Sequence, residues 1–219
     1  MKSVALIPIK LNNERLPGKN LKPFDNGEPL INYTLKTALQ VQQFDEIYVY
    51  CSQESIVDFL PNGVKFLKRP ESLDLPTASI ADLMRTFAEN VNADIYVKMH
   101  VTAPFISTST LQNGLNAVST GNFDSAFAVK FHQDFLWIDD KPQNYDGYNI
   151  IRTQDLQPFY TETTGLYIFN KNLAKQGRRI GNRPFLLEVS SIEAIDINDT
   201  QDFEIANAIF NHIIKKGQP

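Results

Sequence analysis

Four cations, Lys10, Arg15, Lys19 and Lys22, fall within one short polar stretch that follows directly on the apolar run Val4 to Ile9. Asn12, Asn13, Gly18 and Asn20 share the stretch, with Glu14 and Asp25 as its nearby acids. That composition makes a loop built to hold an anion. In open α/β sheets such loops lie outside the carboxyl end of a strand, where backbone N–H groups and side chains converge on phosphate. Arg69 follows a third strand pattern and His100 ends a fourth, so both are expected on the same edge. Near the other end of the chain, Asp196 precedes the last helix, where it can offer oxygen to a hard cation or serve as a helix-start acid. Asp199 and Asp202 read better as acids that complement a helix starting near Thr200.

The elements that must position these residues alternate. A helix opens near Pro29, with Leu30, Ile31, Thr34, Leu35, Ala38 and Leu39 at helical spacing, and Ile47 to Cys51 reads as a buried strand. Ser52 is placed to cap a short helix over Gln53 to Leu60; Pro61-Asn62-Gly63 is a turn and Val64 to Leu67 a third strand. A helix marked by Ile80, Leu83, Met84 and Phe87 leads to a strand at Ile95 to Met99. A further helix starts near Ser107 to Thr110 and ends around Gly121, before a strand at Ser125 to Val129. Leu166 to Phe169 and Phe185 to Val189 add strands, and Phe203 to Ile213 forms the last amphipathic helix. This alternation predicts one α/β domain over residues 1–219, with a largely parallel sheet and helices on both faces.

Residues from about 130 to 162 break the pattern, being rich in aromatics and turn residues without helical period. They read as an insertion leaving the main sheet, either a subunit interface or substrate lid, or a satellite core. A net charge of −4 argues against nucleic acid or an anionic membrane as the main partner. No apolar run is long enough for a membrane span, and no secretory signal pattern is read at the N-terminus. The lone Cys51 excludes an internal disulfide; it is expected to be a small buried hydrophobe in a reducing cytoplasm.

Read letter by letter, the opening stretch IPIKLNNERLPGKNLKPF with GEPLINYTLKTAL behind it resembles the sugar-acid cytidylyltransferases, which make CMP-N-acylneuraminate, CMP-legionaminate, CMP-pseudaminate and CMP-Kdo. Arg15 to Lys19, R-L-P-G-K, looks like the Kdo branch; Asn20 and the rest look more like the acylneuraminate branch. Lys68 to Glu71 with Leu73 and Thr77, His100 to Phe105, Arg152 to Leu156 with Tyr160, Gly165 to Ile168, Gly177 to Gly181 and Ala194 to Asn198 resemble later family motifs in the same order. Four departures stand out, the first being His100 in the place of a glutamine in a Q-x-T-S-P segment. Lys10 takes the place of an arginine, Leu11 to Glu14 replace a glycine turn, and Asn198 replaces the second acid of a D-I-D motif.

The resemblance implies a three-layer, Rossmann-like nucleotidyltransferase fold, mostly parallel, with a small inserted β-rich dimerisation region. It implies transfer of CMP from CTP to a sialic-acid-like 2-keto-3-deoxy sugar acid for surface glycan synthesis, with release of pyrophosphate. Arg15 and Lys19 are then expected on the β- and γ-phosphates and Lys10 nearer the α-phosphate. Asn12, Asn13, Arg69 and His100 belong to the nucleotide, and Asp196 with Asn198 to magnesium. Arg152, Gln154, Lys130 and Tyr160 are expected on the acceptor. The partners are CTP, the small acid and a second copy of the chain, without nucleic acid or membrane. A nucleotidyltransferase acting on a phosphonate or phospho-sugar, and a catalytically weak nucleotide-binding subunit, are the competing readings.

Overall fold

Strand β1 (Ser3–Pro8) is apolar on both faces, and Val4, Ala5, Leu6 and Ile7 are buried, as parallel strands covered by helices on either side must be. The computed structural model describes residues 1–13 and 15–215. Glu14, the last residue of the stretch that replaces the glycine turn, lies outside them.

The main elements follow in order: α1 (Leu30–Leu39), β2 (Glu46–Cys51), β3 (Val64–Lys68), α2 (Ile80–Asn90), β4 (Ile95–Met99), α3 (Thr108–Ser119), β5 (Ser125–His132), β6 (Trp137–Ile138), β7 (Lys141–Pro142), β8 (Phe159–Asn170), α4 (Lys171–Gln176), β9 (Pro184–Glu188) and α5 (Thr200–Ile209). The seven-stranded sheet has the order β3-β2-β1-β4-β8-β5-β9. All its pairings are parallel except those of β8, which runs antiparallel to both β4 and β5. From β1 the chain moves out to β2 and β3, then returns to place β4 on the other side of β1. The carboxyl ends of β1 and β4 therefore flank the topological switch point, where such sheets open a ligand crevice.

Residue alternation along the strands builds two cores. Ala5, Ile7, Val97 and Met99 face α1, α3 and α5, whereas Val4, Leu6, Tyr96 and Phe169 face α2 and α4, giving helix, sheet and helix layers. Cys51 is fully buried, as expected of it, and burial pushes its thiol pKa up.

Several local expectations are corrected. Ser52 caps nothing: Glu54–Phe59 is a 3-10 turn without a side-chain cap, and Ser52 Oγ donates to Asp74 Oδ2 at 2.5 Å. The Leu166 to Phe169 strand is the inner part of the twelve-residue β8. Its outer part, Phe159 to Thr164, escapes apolar patterning because it is mostly exposed and held by its ladder with β5. The short α4, bounded by Asn170 as N-cap and left-handed Gly177, also had no apolar periodicity to announce it. Beyond His132 the chain forms an arm with the β6–β7 hairpin and a 3-10 turn at Thr153–Asp155, returning along β8. Its rings are partly packed together, with Phe135 and Trp137 against Tyr145 and Phe131 against Tyr160. Trp137, Ile138, Tyr148 and Ile150 remain exposed.

Candidate active site

The polar stretch after β1 is held rigidly against the core. Leu16 and Phe24 are buried, and Phe24 packs among Tyr33, Phe105, Phe203 and Phe210. Between these anchors Gly18 takes φ +67°, a left-handed conformation that a side chain disfavours, and starts a 3-10 turn over Lys19–Leu21. Asn20, buried beneath the turn, donates from Nδ2 to the Lys10 carbonyl at 2.8 Å. Lys10 and Lys19 are thereby fixed on either side of one pocket wall.

The opposite wall comes from the segment before α5. Ile197 is fully buried and its N–H donates to the Thr102 carbonyl at 2.8 Å. Asp199 caps α5 in a capping box with Asp202, as expected of those two acids, and Asp202 also accepts from the Asn198 N–H. Asp196 is thus left to face the cleft. Its Oδ1 accepts from Thr102 Oγ1 at 2.5 Å, and its Oδ2 accepts from Thr164 Oγ1 at 2.8 Å and Asn198 Nδ2 at 3.0 Å.

Two cations span the gap between the walls. Lys19 Nζ donates to the Ile197 carbonyl at 2.9 Å, and Arg15 Nη2 donates to Asn198 Oδ1 at 2.9 Å. Both acceptors are neutral, so neither cation is discharged by its partner. Burial lowers the Lys19 pKa, and the attraction of Asp196 opposes that fall. A cleft of about 340 Å³ is lined by Lys10, Asn13, Arg15, Lys19, Arg69, His100, Asp196 and Asn198, with Ile80 and Leu83 of α2 as its apolar side. A second recess of about 250 Å³ adjoins it and adds Asn12.

Every nucleotide- and metal-side residue expected from the sequence therefore meets in one place. Arg69 is buried and paired with Asp74, yet its Nε has no hydrogen-bond partner among the described residues, nor has Asn13 Oδ1. Buried polar atoms left unpaired in a cleft point to a bound polar ligand. The four acceptor-side expectations are placed elsewhere. Arg152 lies on the arm, largely exposed, with its guanidinium bidentate on Asp155 at 2.7 and 3.2 Å. Gln154 follows in the same turn, Lys130 sits on β5 opposite Thr161, and Tyr160 is exposed on β8 near Glu188. None of the four lines the cleft.

Thr102 and Thr164, which orient Asp196, were missed, because no sequence pattern links positions so far apart. Lys98 was also missed, although it left a visible signal: it is the lone charge in the apolar strand Ile95–Met99 and is completely buried.

The cytidylyltransferase family model matches residues 4–209. The chain belongs to the cytidylyltransferase family. N-acylneuraminate cytidylyltransferase A of Danio rerio is 24% identical over 212 residues, covering 92% of this chain and 49% of that protein. The pseudaminic acid cytidylyltransferase of Campylobacter jejuni subsp. jejuni serotype O:2 is 26% identical over 232 residues, covering 97% of this chain and 98% of the relative. Against N-acylneuraminate relatives such as the Danio rerio protein, this cytidylyltransferase chain spans about half their length. A solved CMP:2-keto-3-deoxy-manno-octonic acid synthetase complexed with CTP superposes with a TM-score of 0.72 at 16% identity, over 96% of this chain and 99% of that one. That likeness establishes the three-layer, mostly parallel nucleotidyltransferase fold. Among the described residues, no helix is long and apolar enough to cross a membrane.

Proposed function

We propose that this cytidylyltransferase activates a 2-keto-3-deoxy sugar acid as its CMP conjugate, using CTP and releasing pyrophosphate. The observation that carries the reading is the pair Arg15 and Lys19, anchored to neutral acceptors on the Asp196–Asn198 wall and keeping their charge toward the cleft. Transfer of a nucleotidyl group needs positioning and charge stabilisation far more than covalent chemistry. Arg15 and Lys19 hold the β- and γ-phosphates and Lys10 the α-phosphate. Asn12, Asn13 and Arg69 hold the base and ribose, with Ile80 and Leu83 offering apolar cover.

Magnesium fits the wall opposite. Asp196 supplies one carboxylate whose orientation two threonines fix, with Asn198 beside it, and no group of three acidic, histidine or cysteine ligands occurs among the described residues. Magnesium commonly binds through one or two carboxylates together with substrate phosphates. When bound, it supplies additional positive charge at the phosphates.

Arg152 and Gln154 from the arm, and Lys130 and Tyr160 from the β5–β8 ladder, can serve the acceptor only outside this cleft. The exposed Trp137, Ile138, Tyr148 and Ile150 support a homodimer in which the arm is the contact. A buried free thiol supports a cytoplasmic address.

The reading is tested by supplying each of the four nucleoside triphosphates with magnesium and a panel of acceptors, and following pyrophosphate. Release is expected with CTP and keto sugar acids. Release only with phosphonates or phospho-sugars would replace the acceptor, and no release from CTP with any acceptor would end the enzymatic reading.

A further inference from the structure

Lys98 stands under the cleft in a position that a purely structural residue would not fill with charge. It lies in β4 with no solvent exposure, between Val97 and Met99, and it shares the sheet face of Tyr96. No carboxylate pairs with it among the described residues. Glu162, on the neighbouring β8, is engaged by Tyr167 Oη at 2.5 Å and by Arg179 at 2.9 Å. The Tyr167 ring lies 5.2 Å from Lys98 Nζ and 4.2 Å from the Arg179 guanidinium carbon. Lys98 Nζ has one hydrogen-bond partner among the described residues, Nε2 of His100, the next residue on the same face.

His100 lines the cleft with Asp196, Thr102 and Thr164, while Lys98 does not. The imidazole thus links the cleft to Lys98. The charged or titratable groups around the pair are Tyr167 and Glu162 from β8, Arg179 after α4, Asp196 before α5 and Lys19 from the opening loop. Cations outweigh acids at this place. A buried ammonium without a counter-ion is costly, and the ordinary relief is loss of its proton.

Resting on the cytidylyltransferase reading above, we propose that His100 accepts the proton of the attacking acceptor hydroxyl and that Lys98 draws it onward as the positioning partner. With Lys98 neutral, His100 Nε2–H donates to the lysine nitrogen and leaves Nδ1 with a free lone pair. The hydroxyl O–H breaks as its proton goes to Nδ1. The oxygen forms its bond to the α-phosphorus, and the α–β bridging P–O bond breaks with its electron pair leaving on pyrophosphate. The Nε2 proton passes to Lys98, whose new charge Asp196 attracts, and solvent later removes it through the imidazole. With Lys98 charged, the lysine donates to Nε2, Nδ1 carries the ring proton and the base is blocked. Burial and the nearby Arg179 bring the Lys98 pKa down to about 7, and burial with Lys98 holds His100 well below its ordinary value. The switch therefore falls near neutral pH.

The test uses the full chain with CTP, magnesium and the best keto sugar acid, comparing wild type with His100→Gln and Lys98→Met from pH 5.5 to 9. Wild-type kcat should rise through an inflection near the Lys98 value. Both variants should lose that inflection and ~100-fold in kcat at pH 8, a loss larger than any change in the CTP KM. Imidazole nitrogen NMR should show the ring proton of His100 move from Nδ1 to Nε2 through the same inflection in wild type and not in Lys98→Met. Folded variants that keep wild-type kcat and profile would overturn the proposal while leaving the cytidylyltransferase reading intact. A ring proton that never moves would overturn it as well. Absence of wild-type pyrophosphate release would instead remove the parent reading, and the proposal with it.

Discussion

Two arginines, Arg15 in the cleft and Arg152 on the arm, show how differently the two ends of this molecule use charge. Arg15 hydrogen-bonds the neutral amide oxygen of Asn198, on a loop pinned by buried Leu16, Asn20 and Phe24. Arg152 is forked onto Asp155, three residues away, in an exposed turn. The first arrangement keeps a positive charge oriented and undischarged, and phosphate recognition needs that. The second neutralises its charge locally and costs little to rearrange, which suits a surface that meets a partner. The cleft is preorganised, whereas the arm leaves Trp137, Ile138, Tyr148 and Ile150 exposed.

The sharpest way to break this comparison is to remove a cleft cation. Lys19→Ala should lower kcat/KM by ~100- to 1000-fold, as loss of a charge-stabilising donor commonly does, with the fold intact by circular dichroism. At the arm, Trp137→Asp should convert a dimer into a monomer by light scattering and leave thermal stability of the chain nearly unchanged, since the ring is 57% exposed.

Lys98→Met tests how far the cleft sacrifices stability for chemistry. The Lys98 pKa is about 7 in the fold against 10.5 for an ordinary lysine, so between those values the unfolded chain binds more protons. Wild-type stability should therefore rise with pH through that window. Lys98→Met should remove this dependence, gaining ~1–4 kcal/mol near pH 7 and progressively less toward pH 10 in urea titrations. The smallest effect is expected at Asn198→Asp, which puts a carboxylate where Nδ2 now donates to Asp196. Without magnesium it should cost about 1 kcal/mol in thermal unfolding, and magnesium should restore that loss.

Much of this was legible in the sequence. The β1 loop, the ends of β3 and β4, and the capping acids Asp199 and Asp202 are local patterns, and each lies where its pattern put it. What stayed hidden is long-range. That Lys19 bonds the Ile197 carbonyl, and that Thr102 and Thr164 hold Asp196, follows from strand order, which periodicity does not encode. The outer half of β8 escaped because its partner on β5, not its own apolar pattern, makes it a strand. Arg152 and Tyr160, read as acceptor residues, lie outside the cleft, because motif order does not say which side of the fold a segment occupies.

The most direct measurement of the central claim is calorimetric titration of CTP with magnesium into wild type, Arg15→Ala and Arg152→Ala. The cleft account predicts binding weakened at least tenfold by Arg15→Ala and unchanged within twofold by Arg152→Ala. Equal losses in both variants, or a loss confined to Arg152→Ala, would contradict it.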